Sequence, residues 1–116
     1  MKKLLLLDTN QKFIGDLQTK LARRYEILAT DNYNIAYRLI KTVEIDLMLA
    51  RLPSVEIINQ HDHLKKLLTK LNRKKFAFLT KILIAPEGNG YKVEEFLKLG
   101  IAAVIVDVTE IERWIK

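Results

Sequence analysis

Two periods of apolar positions alternate along the chain. Lys3–Leu7 is a short apolar run ended by Asp8. A run apolar on both faces suits a strand buried inside a parallel sheet. Thr9 or Asn10 then offers a helix cap, and Phe13, Ile14, Leu17 and Leu21 recur at helical spacing. Tyr25–Ala29 predicts a second strand, and Asp31 and Asn32 turn the chain. Ile35, Ala36, Leu39, Ile40 and Val43 then mark a second helical face. Ile45–Ala50 predicts a third strand, closed by Pro53. Val55, Ile58, His61, Leu64, Leu68 and Leu71 lie three or four apart and predict a third helix ending near Asn72. Lys81–Ala85 predicts a fourth strand, with Phe76 and Phe78 anchoring the chain to the core just before it. A turn-rich loop, Pro86–Gly90, follows. Val93, Phe96 and Leu97 predict a fourth helix, and Gly100 falls where a C-terminal cap belongs. Ile101–Val106 predicts the fifth strand, and Ile111, Trp114 and Ile115 begin a last helix.

Five strands alternating with five helices predict an α/β fold, a parallel sheet covered on both faces. Right-handed crossovers leave few arrangements, and the doubly wound, flavodoxin-like order 2-1-3-4-5 is the commonest small one. Such folds place their chemistry at the carboxyl ends of the strands. Those positions are Asp8, Thr9, Ala50, Arg51, Ala85, Pro86 and Asp107.

At 116 residues the chain is expected to form one domain over its whole length. It has no cysteine, which excludes disulfides, thiolate metal sites and thiol nucleophiles. The apolar start is too short for a membrane span or a signal-peptide core, so a cytoplasmic protein is expected. The net charge of +6 is local. Between Leu64 and Lys81 stand 7 of the 20 basic residues and no acidic one, which leaves 13 basic against 14 acidic elsewhere. The candidate basic patch in that segment is Lys65, Lys66, Lys70, Arg73, Lys74 and Lys75. The first reading of this patch is a solvated helix face, the second a surface for an acidic protein, and the third a nucleic-acid contact.

Several ordered pieces resemble receiver domains of two-component response regulators. Leu4–Asp8 with Phe13, Leu17 and Leu21 resembles the family's first strand and helix. Tyr25–Asn32 with Ala36 resembles its second strand and the turn beyond. Ile45–Leu49 with Pro53 resembles its third strand, and Phe96–Val106 its fourth helix, glycine and fifth strand. The resemblance implies a phosphate switch built from five groups. An acidic pair after strand one and an acceptor aspartate ending strand three hold a divalent ion. A hydroxyl after strand four and a lysine after strand five stabilise the acyl phosphate.

The chain keeps one of the five. Asp8 matches the first acid, and Thr9 stands at the second. The acceptor position falls on Arg51 counted from Asp46, or nearer Leu49 counted back from Pro53. No register from Leu47 to Pro53 places a carboxylate there. The hydroxyl position falls on Ala85 or Pro86, with Thr80 before the strand, and the lysine position on Asp107. The implied protein is a degenerate pseudo-receiver: no enzyme, no metal, no cofactor. If Arg51 ends strand three, its guanidinium is placed to pair with Asp8, and with Asp107 as a further partner, in the place of the metal; the alternative is a guanidinium reaching solvent. The resemblance also implies a protein partner or self-association through helix four, strand five and helix five, with Glu94, Lys98, Val104, Arg113 and Trp114 as interface candidates. The last helix is cut short, so an output domain beyond it is an open expectation.

Two alternatives stand beside this reading. One is a receiver still phosphorylated or metal-bound at another carboxylate, Asp46 or Asp107. The other is a flavodoxin-like module that binds a ligand or nucleic acid. His61 and His63 point to different sides of a helix and do not make a metal pair. Gly88-Asn-Gly90 lacks the spacing of a phosphate loop.

Overall fold

A computed structural model describes residues 2–8, 11–52, 58–85, 96–106 and 110–111, with the backbone alone for 11–13 and 58–61. The expected caps at Thr9 and Asn10, the loop 86–90, and Pro53, Val55, Val93, Glu94, Asp107, Arg113, Trp114 and Ile115 lie outside the described residues. So do the side chains of Phe13, Ile58 and His61.

The elements run β1 (Lys2–Leu7), α1 (Gln11–Leu21), β2 (Tyr25–Thr30), α2 (Tyr33–Thr42), β3 (Leu47–Arg51), α3 (Ile58–Leu71), a 3₁₀ turn (Lys74–Phe76), β4 (Thr80–Ile84) and β5 (Ala103–Ile105). All strand pairs are parallel, in the order β2-β1-β3-β4-β5. That is the doubly wound order the alternation predicts.

Strand alternation divides the core in two. Leu4 and Leu6 of β1, Leu47 and Leu49 of β3, and Ile82 and Ile84 of β4 pack with Ile14, Leu17 and Leu21 of α1 and with Ile111. Leu5 and Leu7, Met48 and Ala50, and Leu83 point the other way. They meet Ala36 and Ile40 of α2, Leu64, Leu67, Leu68 and Leu71 of α3, and Phe96. The central strands are thus buried on both faces, which is why they read as continuous apolar runs.

Six expectations need correction. Ile35 is 44% exposed. The packing face of α2 is Ala36 and Ile40 flanked by the half-buried Tyr33 and Tyr37, because their rings carry more apolar area. Leu97 and Phe78 are 51% and 54% exposed, whereas Phe96 and Phe76 are buried in the core. β3 is shifted towards its carboxyl end and includes Arg51. Thr80 opens β4, and β5 has only three residues.

Asp46 stands at the amino edge of the sheet. Its Oδ2 accepts from the Lys3 N–H at 2.8 Å, and its own N–H donates to the Lys3 carbonyl at 2.9 Å. The Thr80 N–H donates to the Asp46 carbonyl at 3.1 Å. At the same edge Lys81 is only 5% exposed, and its Nζ donates to the Leu71 carbonyl at 3.3 Å, where α3 ends. A cation suits the negative end of a helix. Burial nevertheless pulls the Lys81 pKa below its ordinary 10.5. Gly100, at φ +77°, turns the chain into β5 beside the same helix end. A Cβ there would stand 2.5 Å from Asn72 Oδ1.

Gly100→Ala is expected to cost about 1–2 kcal/mol in urea unfolding, since an L side chain is strained in the left-handed region. A second expectation concerns pH. The folded state holds the Lys81 proton less tightly than the unfolded state, so its contribution to stability rises as pH climbs through the lowered folded pKa towards 10.5. The stability difference between the parent and Lys81→Met therefore moves in the parent's favour with rising pH. A flat difference would show that the ammonium is not held in a desolvated place.

Candidate functional site

The carboxyl ends of β1, β3 and β4 meet at one edge. Leu7 pairs with Ala50, and Arg51 pairs with Ile84. One step beyond the Leu7–Ala50 pair, Asp8 and Arg51 occupy neighbouring positions on adjacent strands. Their Cβ atoms share one side of the sheet, with strands about 4.8 Å apart. The ladder continues past the strand ends and fixes this register. The Asp8 N–H donates to the Thr30 carbonyl at 3.2 Å, Leu52 N–H to the Ile84 carbonyl at 2.8 Å, and Ala85 N–H to the Ile105 carbonyl at 2.8 Å.

Asp8 and Arg51 are both half-buried, and Asp8 Oδ2 is shut off from solvent. Ala85 is buried at the end of β4, where the resemblance asks for a hydroxyl. Thr9, Pro86 and Asp107 lie outside the described residues. The structure thus brings Asp8, Arg51 and Ala85 to one edge. Asp46 is at the opposite end of β3, five residues away, or roughly 16 Å along the strand. Its carboxylate is engaged with the Lys3 backbone, so it is corrected out of the candidate acceptors.

The periodicity did not point to Tyr33 as part of this edge. Asn32 caps α2, its Oδ1 accepting from the N–H groups of Asn34 at 2.9 Å and Ile35 at 3.0 Å. That cap sets Tyr33 in the first turn, directly after the carboxyl end of β2. Burial raises the Tyr33 pKa above its ordinary 10.0, and the nearby Asp8 charge raises it further. The ring stacks on the exposed His63 of α3, with centroids 6.1 Å apart. The signal available in the sequence was a tyrosine immediately after a good cap residue.

The basic segment is less free than its composition suggests. Lys65 Nζ lies 5.6 Å from the Phe96 ring centroid, and Lys70 Nζ lies 5.1 Å from that of Tyr37. Lys41 approaches Tyr37 at 4.5 Å, and Lys75 approaches Phe76 at 5.1 Å. The long stems cover apolar surface while the ammonium groups rest on ring faces. Of the interface candidates, Lys98 is exposed and Val104 is half-buried. Glu94, Arg113 and Trp114 lie outside the described residues.

A divalent ion, as the receiver family uses, does not fit the described donor set. Among the described residues, Asp8 is the carboxylate at the ends of β1, β3 and β4, and a guanidinium occupies the neighbouring strand position; Glu110 at the end of β5 accepts from the Val106 N–H at 2.7 Å. Hard cations want several oxygen ligands, and Arg51 brings positive charge instead. No group of three or more His, Asp or Glu among the described residues is placed to hold a metal.

No protein-family model and no curated protein matches the sequence. Solved structures do. A response regulator from Thermotoga maritima aligns with TM-score 0.76 and 13% identity, covering 98% of this chain and 94% of its own. A response regulator receiver protein from Pseudomonas putida aligns with TM-score 0.75 and 18% identity, covering 97% and 94%. The Vibrio cholerae chemotaxis protein CheY4 aligns with TM-score 0.74 and 13% identity, covering 100% and 99%. The chain has the receiver fold over nearly its whole length.

The geometry predicts coupling between Asp8 and Arg51. In urea unfolding, Asp8→Ala and Arg51→Ala are each expected to cost about 1–2 kcal/mol, and the double variant less than the sum by at least about 0.5 kcal/mol. Additive losses would mean that the two side chains do not act as a pair.

Proposed function

We propose that the chain is a pseudo-receiver: a signalling domain with the receiver fold that works by binding a protein instead of by accepting phosphate. The observation that carries this reading is Arg51. It is the last residue of β3, in register beside Asp8, the position on which the count from Asp46 sets the family's acceptor carboxylate. A guanidinium cannot take up a phosphoryl group as an acyl phosphate, and its charge disfavours the metal that such chemistry requires. The buried methyl of Ala85 supports the same reading, since it offers no hydroxyl to sense a phosphoryl oxygen.

The proposed partner surface lies at the β5 side of the molecule. Leu97 and Val106 are 51% and 49% exposed, with Lys98 and the half-buried Val104 beside them in the chain. The partner is a protein or a second copy of the chain. No helix among the described residues is long and apolar enough to cross a membrane; the proposal assumes a cytoplasmic setting.

The test is an amide NMR titration with magnesium, and then with beryllium fluoride, which mimics the acyl phosphate. The expected result is no saturable shift at Asp8, Arg51 or Asp107. Saturable shifts there would restore a phosphate switch and overturn the proposal.

A further inference from the structure

Beyond any protein contact, the structure carries a second surface. The outward side of α3 is a shallow groove of ≈ 490 Å³ lined by Asp62, Lys65, Lys66, Thr69 and Lys70. Lys65 leans to one flank, towards Phe96, and Lys70 to the other, towards Tyr37. The exposed Arg73, Lys74 and Lys75 continue the stripe into the 3₁₀ turn. Phe78 follows directly, 54% exposed, where the hydrophobic pattern predicted a core anchor.

We propose that this stripe binds single-stranded nucleic acid, with the cations tracking the phosphate backbone and Phe78 stacking on a base. The stripe is five lysines and one arginine, and so offers a run of positive charge to a polyanion. Lys65, Lys70 and Lys75 already rest on ring faces, so less side-chain freedom is lost when an anion docks. What favours a nucleic acid is the exposed ring of Phe78, which follows the basic run in the chain: cations with exposed aromatic rings are how proteins hold single strands without sequence preference. A duplex keeps its base faces stacked and would leave Phe78 unused. The Asp62 carboxylate stands within the groove and bounds the cationic stripe at its N-terminal end.

The experiment is fluorescence anisotropy of a labelled oligothymidylate with the full chain. If three or four phosphates are neutralised, affinity is expected to fall roughly 20- to 50-fold between about 50 and 200 mM salt. Phe78→Ala is expected to weaken binding about fivefold or more, with the salt slope unchanged. Lys66→Glu is expected to weaken binding and flatten the slope. Both positions are exposed, and circular dichroism confirms that the variants fold. Absence of binding at low salt overturns the proposal, as does parental affinity in Phe78→Ala. Poly-glutamate that competes as well as unlabelled oligonucleotide at equal charge assigns the stripe to an acidic protein instead.

Discussion

Everything in this domain depends on three parallel strands having no face to spare. β1, β3 and β4 lie inside the sheet, and Leu4, Leu5, Leu6, Met48, Leu49, Ile82 and Leu83 are completely buried. Each such side chain contributes about 1.5–3 kcal/mol on removal from water, as an upper estimate. That gain exists only while helices cover both sides. α1 with Ile111 closes one side, and α2, α3 and Phe96 close the other. The same requirement fixes the strand register, because a slip of one residue would exchange the two cores.

The polar features follow from that register. At the amino edge, Asp46 completes the ladder through Lys3 and Thr80, and Lys81 is drawn under the end of α3. At the carboxyl edge, Asp8 and Arg51 are set side by side. A receiver uses this second edge for a metal and a phosphoryl group. Here the same edge carries a cationic side chain, Arg51, at the end of the central strand. It also delivers an aromatic pair, Tyr33 on His63, beside Asp8.

The architecture was largely legible because a strand apolar on both faces and a helix with one apolar stripe differ in period. The order of the described elements, the sheet order and the end of β1 could therefore be reasoned from runs such as Leu4–Leu7, whereas β3 closes one residue beyond the Ala50 predicted for it. What was not legible depended on competition between neighbouring stripes. Ile35 and Ala36 both fit a helical face of α2, and only packing decided that the rings of Tyr33 and Tyr37 flank it. Phe76 and Phe78 are two apart before a strand, and only one of them can face inward. Lys81 read as part of a basic stretch, because periodicity carries no information about a helix end waiting above a strand. The lysine–aromatic contacts were invisible for a similar reason: they join α2, α3 and the segment of Phe96, which are distant in sequence.

The brevity of β5 also limits how anything can attach to the side of the sheet. With three residues in the ladder, this edge presents few open backbone donors and acceptors. A partner finds only a short template there on which to extend the sheet. Attachment there depends on side chains, and it can be tuned one residue at a time without disturbing the strands beneath.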